Sequence, residues 1–166
     1  YAVFACLLTF WLLPGLVAAL TPVSHKRVIA LAQDALLTAF VTSNLFIVLP
    51  ILVERSKALL EQRGLLNPES DSAADILIPI LFNFPNAGRL LTLLFVPFAA
   101  WLAGSPFSAG DFSTLLAVGI PSYFAKAQVA LPFLLDVFKL PHDLFQLYIP
   151  TTIITGKFDS MVTAMN

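Results

Sequence analysis

The stretch from Val28 to Glu54 most constrains how this chain can fold. It is an apolar run, VIALAQDALLTAFVTSNLFIVLPILVE, interrupted in its middle by the polar residues Thr42, Ser43 and Asn44. Basic residues stand at both ends of the run: Lys26 and Arg27 before it, and Arg55, Lys57 and Arg63 after it. A membrane-spanning helix usually has its Lys/Arg excess on one side only. The pattern therefore predicts a re-entrant hairpin over residues 28–60, which enters the membrane, turns and leaves on the same side.

The polar tip of this hairpin is a candidate binding site. Irregular backbone at membrane depth is tolerated only where it is buried in protein or lines a watery cavity. Thr42, Ser43 and Asn44 offer hydroxyls, an amide and N–H groups at helix ends, which attract anions. The alternative is a solvated turn in an ordinary loop.

Composition places the chain among membrane proteins, with the lipid bilayer as its surroundings. Hydrophobic residues make up 58% and charged residues 11%, against about 45–50% and about 25% in soluble domains. The mean hydropathy is +0.88. The net charge of −1 and the lack of a basic stripe argue against a nucleic-acid partner.

Four further apolar segments accompany the first hairpin. They cover residues 1–20, 76–104, 112–138 and 144–166. The first and the last are predicted to be spanning helices, which need about 20 residues. Residues 76–104 are predicted to be a broken span, interrupted over 83–89, because Pro85 removes a backbone donor and Gly88 permits unusual dihedrals. Residues 112–138 are predicted to form a second hairpin.

The charges in the links orient these segments. Lys and Arg number two in residues 21–27, three in 54–75, none in 104–111 and one in 139–143. The first two links are therefore expected in the cytoplasm and the last two outside. This predicts an all-α, multi-pass inner-membrane bundle with two oppositely oriented re-entrant hairpins, which is an inverted repeat with its site near the midplane. Five plain helices are the alternative.

A few polar residues in the apolar segments are candidates for solute or cation binding. Arg89 lies far from either predicted interface, so it is by default a functional hypothesis; the alternative is a structural pair with Asp159. Asn83 and Asn86 offer amide oxygens to a cation or to unwound backbone. Lys126 is expected to meet a carboxylate, to replace a bound cation or to cap a helix end.

Three other observations limit the function. Lys157 and Asp159 are two residues apart on one helix and so point to different faces. Asp34 is expected to begin a helix or to pair between helices. His25 and His142 lack the spacing of a metal site. No phosphate loop or nucleophile elbow is present, so neither an enzyme nor a cofactor is predicted.

Several motifs resemble the dicarboxylate/amino acid:cation symporters, the family that includes the glutamate transporters. The segment from Gln33 to Thr42, followed by Leu49-Pro50, is similar to their first hairpin, which typically has DAxLTAF, a serine-rich tip and TLP. Other matches are Ile78-Pro79 in the seventh span, Gly119-Ile120-Pro121 and residues 134–141 (LLDVFKLP) in the second hairpin, and Ser160-Met161-Val162 for the TMV of the eighth span.

The resemblance implies most of a mobile, solute-carrying domain, with the scaffold helices outside this chain and a homotrimeric assembly. It implies elevator-like symport of a small dicarboxylate or amino acid, an anionic or zwitterionic solute, driven by Na⁺ or H⁺. The candidate substrate-binding residues are Thr42, Ser43, Asn44, Arg89, Gly119, Pro121, Ser122, Asp159 and Thr163. The candidate cation-site residues are Asn83, Asn86, Gly88, Arg89 and Lys126.

The chain departs from the family pattern at the chemistry-bearing positions. The family's NMDGT becomes residues 85–89 (PNAGR), with Ala87 in the Asp position and Arg89 in the Thr position. On the eighth span Gly156 and Asp159 replace an Asp and an Arg, and Thr163 replaces an Asn. Our hypothesis is that Arg89 and Lys126 serve as built-in cations, which gives a sodium-independent carrier. The alternative is a degenerate transport domain retained as a sensor or interaction module.

Overall fold

The computed structural model describes residues 1–81 and 86–166, and within these ranges the protein is helical without strands. Eight helices follow one another: α1 (Ala2–Leu20), α2 (His25–Thr42), α3 (Leu45–Gln62), α4 (Pro68–Leu81), α5 (Ala87–Leu102), α6 (Ala109–Ser122), α7 (Ala127–Val137) and α8 (Phe145–Met165). The prediction of an all-α protein is confirmed.

Helix α1 is apolar throughout and contains a wide turn. Among the described residues it is the one helix whose length and composition suit a bilayer crossing; α5 and α7 are shorter apolar helices. Pro14 lacks the N–H that would bond to the Phe10 carbonyl. The preceding residues Leu8–Leu12 form a π-helical turn, in which the Leu13 N–H bonds to the Leu8 carbonyl. The widened turn accommodates the missing donor.

Helices α2 and α3 pack against each other across a two-residue turn. Ser43 adopts the left-handed conformation, with φ 51° and ψ 21°. The Asn44 side chain then accepts a hydrogen bond from the Phe46 N–H at 3.1 Å, which caps α3. Asp34 on α2 pairs with Arg55 on α3, so Asp34 is an interhelical partner.

Helix α4 begins inside residues 54–75, which we expected to be a link between apolar segments. The Asn67 side chain accepts the Ser70 N–H at 2.7 Å, and the Ser70 hydroxyl accepts the Asn67 N–H at 2.9 Å. Pro68 suits the first helical position. Lys57 on α3 pairs with Asp71 at 2.9 Å and with Asp75 at 2.8 Å. The polar residues therefore form the capped, exposed start of a helix that is tied to α3.

The predicted interruption near Pro85 is partly visible. Asn86 is extended, with φ −121° and ψ 168°, and its side chain accepts the Arg89 N–H at 3.0 Å. The helix resumes at Ala87, so Gly88 and Arg89 are helical, and it narrows to a 3₁₀ turn at Leu91–Leu94. The predictions for Asn83 and Pro85 lie outside the described residues.

Helix α8 lies between two apolar cores. One core joins α5, α6 and α7 around Val96, Tyr123, Leu131 and Leu135, and Tyr148 of α8 packs into it. The other joins α2, α3 and the C-terminal end of α8, with Met161 and Met165 among its members. Helix α8 packs against α2 and α3 with its C-terminal end and against the core of α5, α6 and α7 with Tyr148. Its residues from Tyr148 to Thr163 therefore lie between the N-terminal and the C-terminal helices of the chain.

Candidate solute-binding cavity

A cavity of about 470 Å³ lies where α5 and α8 meet the turn between α6 and α7. Its polar lining includes Arg89 on α5, Lys126 and Gln128 beside the turn, and Asp159 and Thr163 on α8. Leu45, the first residue of α3, closes one side. Small-molecule sites typically have volumes of about 300–1,000 Å³. Residues from four separate parts of the chain thus form a pocket of suitable size for a small solute.

Gly88 allows α5 to approach α8 closely enough to form one wall of the cavity. A Cβ atom on Gly88 would lie within 3.0 Å of the Asp159 carbonyl oxygen and of Thr163 Oγ1 and N. Only glycine permits backbones to approach this closely. The sequence already indicated that this glycine is needed, because Gly88 occupies the position of the glycine in the family's NMDGT motif.

Asn86 connects the start of α5 to α8. Its Oδ1 accepts hydrogen bonds from the Thr163 hydroxyl at 2.9 Å and from the Arg89 N–H at 3.0 Å. Asn86 is 5% exposed. Within the described part of the chain, its Nδ2 finds no hydrogen-bond partner. The amide oxygen of Asn86 therefore bonds to protein groups, one of which is a backbone N–H, as in the second of the two uses that we considered for it. The amide nitrogen can still donate hydrogen bonds.

Three charged side chains line the cavity. Asp159 accepts a hydrogen bond from the Tyr1 hydroxyl. Lys126 precedes α7 in extended conformation, and its side chain makes no capping bond there. Arg89 contributes the third charge. Lys157, by contrast, lies over the Phe40 ring at 5.9 Å, so it and Asp159 do point to different faces of α8.

The tip of the first helix pair lies outside the cavity lining. The Thr42 hydroxyl donates to the Thr38 carbonyl at 2.7 Å and accepts the Asn44 N–H at 3.2 Å. Thr42, Ser43 and Asn44 are all exposed. Their exposure and their local hydrogen bonds agree with the alternative, a solvated turn in an ordinary loop.

The predicted residues of the second hairpin form the last turn of α6 and also lie outside the lining. Ser122 Oγ donates to the Gly119 carbonyl at 2.7 Å. A Cβ on Gly119 would lie 2.7 Å from Leu93 Cδ2, so Gly119 serves close packing. Pro121 is exposed. The turn from Tyr123 to Lys126 lines the cavity instead.

Sequence reasoning missed four hydroxyl-bearing residues of the lining: Thr92, Tyr123, Tyr148 and Ser160. Spacing offered a signal for two of them. Thr92 is three residues after Arg89, and Tyr148 is eleven before Asp159, which is three helical turns; both separations place residues on one face. Tyr123 lies two residues after the quoted Gly119-Ile120-Pro121 motif. Its hydroxyl is buried and has no hydrogen-bond partner of standard geometry among the described residues.

The described residues form an all-helical, strongly apolar protein with a cavity that has charged lining residues and a volume of about 470 Å³. The family model of the sodium:dicarboxylate symporter family matches residues 1–166, and the chain belongs to this family. The resemblance inferred from the motifs is therefore confirmed. This is a family of membrane transporters, which fits a transport protein rather than an enzyme. No curated protein and no solved structure matches the chain.

Proposed function

We propose that the chain is the solute-carrying part of a secondary transporter, which moves a small dicarboxylate or amino acid across the inner membrane by an elevator-like mechanism. The observation that carries the proposal is the cavity in which Arg89, Lys126 and Asp159 meet. Charges within a strongly apolar helical protein are costly and are retained mainly for function. Two cationic side chains suit the carboxylates of an anionic or zwitterionic solute.

The proposed architecture has α2–α3 and α6–α7 as re-entrant hairpins and α4–α5 as a broken span. Helix lengths support it. Helices α6 and α7 have 14 and 11 residues, which correspond to about 21 Å and about 16 Å, short of the bilayer core of about 30 Å. Neither helix can cross alone, whereas two such helices joined at a tip can enter and leave on one side. The remaining scaffold and a homotrimeric assembly belong to the same proposal.

The residues at the family's cation-site positions suggest that this transporter does not depend on a bound sodium ion. Ala87 provides no carboxylate where the family motif has one, and Arg89 and Lys126 supply fixed positive charge at the cavity. The proposal is that these side chains take over the electrostatic role of a bound cation. Sodium is then dispensable, and H⁺ remains available as the coupling ion.

A second candidate is a membrane-embedded sensor or interaction module that binds solute without moving it. The replacement of family carboxylates by Ala87 and Gly156 favours this candidate. Uptake of radiolabelled succinate and L-aspartate into proteoliposomes, with and without a sodium gradient, separates the two. Saturable uptake supports the carrier; saturable binding without uptake supports the module.

A further inference from the structure

Three basic residues lie where the link between α1 and α2 meets the end of α3. Arg27 on α2 donates a hydrogen bond to Gln62 Oε1 on α3. Arg63 follows Gln62 and donates in the other direction, to the Pro22 carbonyl at 2.5 Å. Lys26 directly precedes Arg27. These two reciprocal contacts hold both guanidinium groups at one end of the α2–α3 pair.

Among the described residues, no acidic side chain pairs with these cations. The two hydrogen-bond acceptors, an amide oxygen and a backbone carbonyl, are uncharged. The ion pairs between described residues do not include Lys26, Arg27 or Arg63. The closest acidic residue along the chain, Glu61, is exposed and is in none of these ion pairs. Because a guanidinium group has five N–H donors, each arginine keeps donors for an anionic partner.

The start of α2 adds to the positive potential of this region. Ser24 is the N-cap residue, and its side chain makes no capping hydrogen bond. A helix N-terminus has the positive end of the helix dipole and N–H groups that can bind an anion. Arginine also matches the geometry of phosphate oxygens with two parallel hydrogen bonds. A phosphate group is therefore the ligand that complements the three cations and the helix end.

The position of the basic residues after α1 indicates the source of the phosphate. Among the described residues, α1 is the one helix whose length and composition suit a bilayer crossing, and it ends at Leu20. Leu16 and Leu20 are 51% and 84% exposed. A short polar link then leads to Lys26. A phosphate bound at this level lies at the depth of the lipid headgroups, beside exposed leucines on which acyl chains can pack.

We infer that Lys26, Arg27 and Arg63 bind the phosphate headgroup of an anionic phospholipid. None of these residues lines the solute cavity, so the inference goes beyond the proposed function and does not depend on transport. The lipid connects the link after α1 to the end of α3, and it holds the base of the α2–α3 pair at the membrane surface.

The test measures lipid binding to the full-length protein in a neutral detergent by native mass spectrometry. Phosphatidylglycerol, phosphatidylcholine and inorganic phosphate are titrated separately. We expect phosphatidylglycerol to bind at least about tenfold more tightly than phosphatidylcholine, because each basic residue near an anionic lipid contributes a factor of about five. Equal affinities for the two lipids would overturn the inference without any variant. Inorganic phosphate that binds as tightly as phosphatidylglycerol would assign the site to free phosphate and would also overturn it.

Two substitutions locate the bound lipid. Arg27→Gln and Arg63→Gln are each expected to weaken phosphatidylglycerol binding about fivefold and to leave phosphatidylcholine binding unchanged. Arg55→Gln is the matched control, because it removes one positive charge from the same helix pair, but Arg55 already pairs with Asp34. Its affinity for phosphatidylglycerol should equal that of the unmodified protein. An equal loss in all three variants would show that net charge attracts the lipid, and this result would contradict the inference.

Discussion

Gly88 illustrates how a single residue fixes the cavity wall. We expect Gly88→Ala to destabilise the protein by about 1–3 kcal/mol, the usual cost of overpacking, because the new methyl group would collide with the backbone of α8. The measurement is thermal unfolding of the purified protein in detergent. Gly156→Ala is the control, since nothing lies within 4 Å of its added Cβ. Equal stability of the two variants would show that α5 and α8 are not in close contact.

Lys126 is the residue whose charge we expect to attract solute carboxylates. Lys126→Gln should weaken binding of both aspartate and succinate by about tenfold, because a charge-assisted contact is lost, and should leave the unfolding temperature unchanged, since the side chain is exposed. Lys139→Gln is the matched control, an exposed lysine outside the cavity lining. Unaltered affinity in Lys126→Gln would remove Lys126 from the site.

At the residue scale, the sequence indicated which charged residues to consider, but it did not indicate contacts between residues that are far apart along the chain. A charged residue in an apolar run is conspicuous in the sequence, so Arg89, Lys126 and Asp159 could be selected before their positions were known, and all three line the cavity. The hydrogen bond from Thr163 to Asn86 spans 77 positions. No local pattern encodes such a contact, because it depends on how α5 packs on α8.

At the scale of helices, the residues at the turns and helix ends determine where each helix begins and ends. The break at Ser43–Asn44 was predictable because three consecutive polar residues interrupt an apolar run. The start of α4 was missed because the segment is polar, although Asn67, Pro68 and an acidic first turn are helix-start signals. The second pair was predicted over residues 112–138, and the turn lies between Ser122, the last residue of α6, and Ala127, the first residue of α7. Gly119 and Pro121 are both accommodated within the last turns of α6.

The start of α6 supplies a pH-dependent element. Ser108 donates hydrogen bonds to the Asp111 carboxylate from its hydroxyl and its N–H, both at 2.7 Å. These hydrogen bonds lower the pKa of Asp111 below its ordinary value of 3.8. The folded state therefore favours the ionised carboxylate. Its stabilising effect is fully present at pH values above the pKa that Asp111 has in the unfolded chain, and it is lost as the pH falls through the lower pKa that Asp111 has in the folded protein.

We therefore expect the unfolding temperature of the unmodified protein to exceed that of Asp111→Asn at about pH 6 and the difference to shrink towards about pH 3. Thermal unfolding at several pH values provides the measurement. A difference that stays constant or grows on acidification would contradict the capping role of the carboxylate.

At the scale of the whole molecule, α8 packs against α2 and α5 and contributes to the lining of the charged cavity. The family assignment covers residues 1–166, so the cavity belongs to a member of a transporter family. A carrier and a solute-binding module would share this cavity. They differ in whether the bound solute reaches the other side of the membrane.

Uptake of radiolabelled L-aspartate into proteoliposomes containing the full-length protein tests the central claim most directly. We predict saturable accumulation that persists when sodium is replaced by choline and that falls about tenfold in Lys126→Gln at low solute concentration, as its binding does. Saturable binding of aspartate to the same proteoliposomes, with no accumulation above protein-free liposomes under either condition, would contradict the carrier function.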